Sequence, residues 1–232
     1  MDTLITGSEG FIGKKLAQRV GSHLAIDLQK GTNLLTCSLP SEASVGTIYH
    51  LAAQASVEPS WIDPVNDSLN LPMTVRLARE YPNRKIVYAQ SCASKNPQSS
   101  PYAFSKWAAG EYLKKFHHNT VICVFPNIYG PGSRSVVDIF KATDKVVVYG
   151  DGEQLRDYVH VYDIVSGLLK AKDWKPGTYY MGSGRATSVL DLAKGKDITF
   201  APARREARES LVPNTTPNWE PTLDVFDYLH ES

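Results

Sequence analysis

The chain has 232 residues, of which 42% are apolar and 21% charged, enough for one large domain or a domain with a small lobe. A net charge of +1 argues against nucleic acid or an anionic membrane surface as a bulk electrostatic partner. Cys37, Cys92 and Cys123 lie far apart with no CxxC and no paired His spacing, which argues against a disulfide framework and against structural zinc and fits a reducing cytoplasm; no metal is expected.

Met1 runs almost directly into the strand-like "TLIT", so no signal peptide is expected, and no apolar run approaches the roughly 18–20 residues that cross a bilayer. In chain order the pattern predicts a strand over 2–6, a helix over 10–20, and strands over 23–27 and 46–52. A helix over 67–81, a strand over 85–90, a helix over 101–117 and a strand over 120–125 follow. Then come a helix over 135–142, a strand over 145–150, a helix over 162–172, a strand over 177–182 and a helix over 222–230. Such alternation implies βαβ units around a parallel sheet, an α/β class, and several strands are almost wholly apolar, as strands covered on both faces are. The segments 96–101 and 201–210 read as loops or short connections. The C-terminal third is richer in Pro and Arg and less regular.

The first strand runs into "TGSEGFIG" and a helix, the order a dinucleotide fold requires. Gly7 allows the tight turn, Gly10 lets the backbone approach a pyrophosphate, and Gly13 lets the helix pack close on the strand. The helix N-terminus offers free N–H groups and partial positive charge to phosphates. Asp27 ends the second strand 20 residues after Gly7, where a carboxylate binds ribose hydroxyls and repels a 2′-phosphate. That favours NAD over NADP, with Lys30 nearby weighing the other way; the plainer reading of Asp27 is a strand-end turn residue.

Tyr102 and Lys106 stand four residues apart in "SPYAFSKWAAGEYL", on one face of a helix. An ammonium beside a phenol favours the phenolate and lowers its pKa from about 10, which makes a catalytic base. An amphipathic helix with a packed Tyr and a solvated Lys has the same spacing.

"TGSEGFIG", "HLAAQASV" and "SPYAFSK", with "FPNIYGPG" (125–132), "GDGEQLRDYVHVYDI" (150–164) and "YMGSGRATSVLDLA" (180–193) in order, resemble the extended short-chain dehydrogenase/reductases. The likeness is to their NAD-dependent sugar-nucleotide epimerases and dehydratases, above all UDP-glucose 4-epimerase. The resemblance implies a Rossmann-type doubly wound parallel sheet with a small C-terminal substrate-binding lobe. Residues 1–125 would form the NAD-binding core, and 126–232 the remaining core elements interleaved with the lobe. It implies Tyr102, Lys106 and Ser91 as catalytic residues. Around NAD it implies Gly7, Gly10, Phe11, Ile12, Gly13, Asp27, Ser38, Leu39, Leu51, Ala52, Ala53 and Phe125, together with Tyr102 and Lys106. For a nucleotide-diphospho-sugar it implies Ser91, Asn127, Arg156 and one or both of Arg204 and Arg205, an Arg fork suiting phosphate.

The chain departs from the family in places. Ser38 of "LTCSLP" stands where the family often has an acidic residue near the adenine. Ten residues separate Ser91 from Tyr102, fewer than is usual, and the chain is shorter than most members. The 4,6-dehydratases carry an acidic pair directly after the catalytic hydroxyl residue; here Cys92 and Ala93 follow Ser91, which ranks a 4-epimerase ahead of a dehydratase. Cys92 leaves an epimerase-reductase open beside a structural thiol. A non-catalytic NAD-binding or scaffold protein is the reading from another class. A homodimer paired through helices 67–81 and 101–117 is expected, with Leu71, Val75, Leu77, Trp107 and Leu113 fitting that face or simple burial. His50 is expected to be structural or cofactor-adjacent, His117 and His118 solvated, His160 structural, and Asn70 to hold a backbone or water position.

Overall fold

The computed structural model describes residues 2–204 and 208–231. From the N-terminus it runs β1 (Asp2–Thr6), α1 (Phe11–Val20), β2 (Leu24–Ile26), β3 (Val45–His50), α2 (Val57–Ile62), α3 (Pro64–Ser68), α4 (Asn70–Glu80), β4 (Lys85–Ser91), α5 (Pro101–Phe116) and β5 (Thr120–Phe125). It continues with β6 (Asn127–Tyr129), α6 (Val136–Ala142), β7 (Lys145–Tyr149), β8 (Leu155–Arg156), β9 (Tyr158–His160), α7 (Val161–Ala171) and β10 (Gly177–Tyr180). The last elements are β11 (Thr187–Ser188), α8 (Val189–Leu192), β12 (Asp197–Ala201), β13 (Glu209–Ser210) and α9 (Val225–His230).

Six strands form one sheet in the order β10-β5-β4-β3-β1-β2, with β1 parallel to both β2 and β3, and β3 parallel to β4. Leu4 and Ile5 of β1, Ile48 and Tyr49 of β3, and Ile86, Val87 and Tyr88 of β4 are buried, as strands covered on both faces must be. Because β1 is followed by β2 on one side and β3 on the other, the order reverses at β1. In doubly wound sheets the carboxyl ends of the strands at that reversal form the ligand crevice.

The chain divides into two units. One comprises Met1–Val124 with Leu168–Tyr179, the other Phe125–Gly167 with Tyr180–Ser232. The second unit has small sheets, β11-β8-β13, β12-β7 and β6-β9. Its core is Tyr129, Val137, Phe140, Val146, Val148, Tyr158, Val189 and Leu192. Buried carboxylates knit its loops. Asp157 accepts from the N–H groups of Ser183 and Gly184, and Asp163 accepts from the Thr222 and Leu223 N–H groups.

Several elements differ from expectation. The helix expected over 67–81 is two, α3 and α4, joined at Leu69, and α2 precedes them in a stretch with no helical expectation. Pro64 opens α3, with Asp63 accepting from the Asn66 N–H, a cap that starts a new helix. The strand at β7 pairs with β12, outside the six-stranded sheet. Its residues alternate between exposed and buried, the mark of a half-covered pair rather than a strand sandwiched between helices. The segment expected as a loop over 201–210 ends in β13. The C-terminal helix starts late, at Val225, because Asp224 caps it through the Phe226 N–H. His117 is not solvated but buried. Its Nε2–H donates to the Tyr81 carbonyl, which leaves Nδ1 to accept from the Thr120 hydroxyl, and burial lowers its pKa. His118 is exposed.

Candidate active site

The glycine loop after β1 is shaped by contact. Gly7 has φ of +74° and a Cβ there would lie 2.6 Å from the Ala52 backbone nitrogen. A Cβ at Gly13 would lie 1.9 Å from the Gly7 carbonyl oxygen. Only glycine satisfies both, so α1, the loop and the start of "LAA" are held together at the end of the sheet. The Ala52 N–H donates to Thr6 Oγ1. Helix α1 starts after Gly10 with no side-chain cap, so the N–H groups of its first turn, at Phe11, Ile12 and Gly13, have no partner inside the helix. Beside them the Ser8 hydroxyl is buried with no partner among the described residues. An orphaned hydroxyl and an uncapped helix N-terminus fit a pyrophosphate.

Asp27 closes β2 with its carboxylate fixed by two backbone donors, the Glu9 N–H at 2.9 Å and the Gln29 N–H at 2.8 Å. Thr32 bonds its backbone N–H and carbonyl. The carboxylate is therefore held in one orientation at the end of β2. Ser38 is exposed and Leu39 half-buried. Arg76 of α4 was not singled out in the sequence, yet it donates to the Leu34 and Cys37 carbonyls, each at 2.6 Å, and so anchors the segment that carries Ser38. A lone helical Arg gives no sequence signal for this.

The catalytic candidates come together in the same unit. Ser91 ends β4 and its Oγ accepts from the Ala93 N–H at 3.2 Å. Helix α5 approaches β4 closely, for a Cβ at Gly110 would lie 2.3 Å from Gln90 Oε1. On α5, Tyr102 and Lys106 are both buried. Burial pushes the Tyr102 phenol up to about 12, against a hydrogen bond with Ser91 that lowers it, while Cys92 and Asp67 raise it further. Burial pushes the Lys106 ammonium down to about 7. The expected lowering of the phenol by the ammonium is not what governs it in the protein alone: burial draws both groups toward their neutral forms. Lys106 Nζ lies 4.3 Å from the centroid of the Tyr88 ring, which partly compensates its lost hydration. Tyr88 was not foreseen, since its face meets Lys106 only through the fold.

A polar network fixes this corner. Asn70 Oδ1 accepts from the Gln54 N–H, and its Nδ2 donates to the Gln54 carbonyl and to Ser105 Oγ, which donates to the Tyr102 carbonyl. Asn70 thus holds both the backbone after "LAA" and the first turn of α5. His50 lies between Thr6 and Thr74, at 2.9 Å from each hydroxyl. Thr74 donates to the Asn70 carbonyl and so receives the His50 Nε2–H; burial and Lys106 hold its pKa down to about 3, which keeps the ring neutral and leaves Nδ1 to accept from the Thr6 hydroxyl. His50 is therefore structural. Asp67 of α3 was not singled out in the sequence. It is fully buried, neither oxygen has a partner among the described residues, and burial pushes it up to about 6.

The substrate candidates Asn127, Arg156 and Arg204, and the cofactor candidate Phe125, lie in the second unit. The Asn127 side chain donates to the Asp157 carbonyl, and Arg156 is buried with Nη1 donating to the Leu155 and Arg208 carbonyls. Arg204 stacks 3.6 Å over the Tyr149 ring, and Phe125 is buried at the end of β5. Arg205 lies outside the described residues. Among the described residues no helix is long and apolar enough to cross a membrane.

The profile of the NAD dependent epimerase/dehydratase family matches residues 3–182. The chain is 30% identical over 227 residues to a putative UDP-glucose 4-epimerase of Methanocaldococcus jannaschii, covering 83% of this chain and 70% of the relative. It is 32% identical over 252 residues to a UDP-glucose 4-epimerase of Mycolicibacterium smegmatis, covering 83% and 80%. Among solved structures, MoeE5 in complex with UDP-glucose and NAD superimposes with a TM-score of 0.84 at 25% identity, over 99% of this chain and 96% of that one.

Proposed function

The chain belongs to the NAD-dependent epimerase/dehydratase family, and we propose that it inverts carbon 4 of a nucleotide-diphospho-sugar through a transient 4-keto sugar. One observation carries this reading. Tyr102 is buried in hydrogen bond with Ser91, with Lys106 one turn on, and Cys92 and Ala93 stand where a dehydratase would carry its acidic pair.

Bound NAD supplies a hydride acceptor that becomes the donor again, so the reaction is redox-neutral overall. Tyr102 would take the proton of the 4-hydroxyl and later give it back, and Ser91 would hold that oxygen while the sugar is at the keto stage. A protonated Lys106 favours the phenolate that this first step requires. Asn127 and Arg156 are the proposed sugar and diphosphate contacts, joined by Arg204 or Arg205, and the nucleotide half provides binding energy remote from the reacting carbon. One observation favours a 4,6-dehydratase as second reading: Asp67 is an unpaired buried carboxyl that acts electrostatically on Tyr102.

We further propose a homodimer. Ile62, Val65, Phe104 and Phe116 are 87%, 72%, 55% and 63% exposed, and Trp107 is also exposed, an apolar set on α2, α3 and α5 that suits an isologous contact. Leu77 and Leu113 are fully buried and serve the core instead. Light scattering should give twice the mass of one chain at micromolar concentration; a monomer there removes the dimer. Three free thiols suit a reducing cytoplasm.

The deciding experiment incubates the protein with NAD and UDP-, GDP-, dTDP- and CDP-sugars and reads products by mass spectrometry and NMR. A new sugar of unchanged mass without net NADH is expected. Loss of one water would transfer the assignment to the dehydratase reading.

A further inference from the structure

Glu9, inside the glycine loop, has no part in the mechanism, yet it touches both charged residues at the ribose end of the cofactor site. Its backbone N–H donates to Asp27 Oδ2 at 2.9 Å. Its carboxylate Oε1 lies 3.0 Å from Lys30 Nζ, and Oε2 lies 3.6 Å from Lys14 Nζ. Lys30 is placed there by the single turn Leu28–Lys30, for which Asp27 is the cap. The same turn that presents the ribose-binding carboxylate thus also presents a cation, and a cation at that end of a dinucleotide site is what a 2′-phosphate needs.

We infer that Glu9 is a specificity-determining residue that keeps this chain selective for NAD by occupying the Lys30 ammonium. The inference rests on the NAD reading and adds to it a residue outside the family's acidic position at Asp27. With Glu9 present, two carboxylates (Asp27 and Glu9) face two ammoniums (Lys30 and Lys14), and the local charge is balanced. Without Glu9 the balance becomes one to two, and a 2′-phosphate carrying nearly two negative charges would meet two uncommitted ammoniums. Folding gives little reason for the pair, since Lys30 and Glu9 are 47% and 25% exposed and exposed ion pairs contribute little to stability.

The test is calorimetric titration of NAD and of NADP into protein freed of nucleotide, for the wild type, Glu9→Gln, Lys30→Gln and the double variant. Glu9→Gln should tighten NADP about tenfold while NAD affinity moves less than about threefold, since charges a few ångströms apart near a surface interact at that level. The gain should vanish in the double variant and shrink at high salt, and Lys30→Gln alone should leave the wild-type preference in place. An unchanged NADP affinity in Glu9→Gln, with NAD binding intact, overturns the inference and leaves the cofactor reading standing. A gain that survives removal of Lys30 also overturns it. A wild type that binds neither dinucleotide overturns both.

Discussion

Two aspartates of the same unit stand in opposite surroundings. Asp27 has each carboxylate oxygen bonded to a backbone N–H, whereas Asp67, fully buried, has neither oxygen bonded among the described residues. The first is a carboxylate the fold has satisfied and aimed. The second is a carboxylate the fold tolerates at a cost, and its charge raises the phenol of Tyr102, which burial, as at Lys106, already holds away from its charged form. The contrast is between a carboxylate whose acceptor oxygens the fold fills and one, near Tyr102, whose acceptor oxygens it leaves open where burial disfavours the charged form.

The largest effect that would break this contrast is at Tyr102. Tyr102→Phe keeps the ring and removes only the proton carrier, so turnover should fall by about a thousandfold, within the range for general acid–base catalysis. NAD affinity and the thermal midpoint should stay near wild type. Retained turnover would mean that the catalytic corner is merely a buried polar cluster.

A smaller effect, of unusual sign, is expected at Asp67. Its folded pKa is raised from 3.8 to about 6, so the folded state disfavours the ionised form. Stability is then highest below the unfolded pKa, falls as pH rises from about 4 to about 6, and is level above that. Asp67→Asn should remove this slope and stabilise the protein at pH 7.5 by about 2 kcal/mol, shrinking at pH 5. Urea unfolding at the two pH values measures it. A variant destabilised equally at both would show that the carboxylate has a partner in solution. Epimerisation should survive the substitution, whereas a dehydratase using Asp67 as its acid would lose water elimination.

What the sequence revealed of these sites follows from the range of the forces involved. Gly13 was legible because the clash that demands it is with Gly7 and Ser8 of the same loop, and Gly7 because its positive φ belongs to the turn itself, although the Ala52 backbone that also excludes a Cβ there was not visible. Tyr102 and Lys106 were legible because helix geometry alone puts i and i+4 on one face. Asn70 was read in part, its role as a backbone holder without its partners Gln54 and Ser105. Tyr88, Arg76 and Asp67 were not legible, since each acts through, or lacks, a neighbour from a distant stretch of chain. The pairing of β7 with β12 was hidden for the same reason: Ile198 and Phe200, which stand beside Val146 and Val148, come from a distant stretch of chain.

The smallest effect sharpens the comparison from its other side. Asp27→Asn is the same chemical change as at Asp67, and it should have the opposite sign. An amide presents one acceptor oxygen and a donating NH₂, so at most one of the Glu9 and Gln29 N–H groups keeps its partner. The loss should destabilise the protein by about 1 kcal/mol, the usual worth of one hydrogen bond, and NAD affinity should fall with it because the ribose diol loses an acceptor. Urea unfolding and an NAD titration on the same preparation give both numbers. If Asp27→Asn and Asp67→Asn shift stability in the same direction, the two carboxylates differ only in burial, and the saturation of Asp27 is not what fits it for binding.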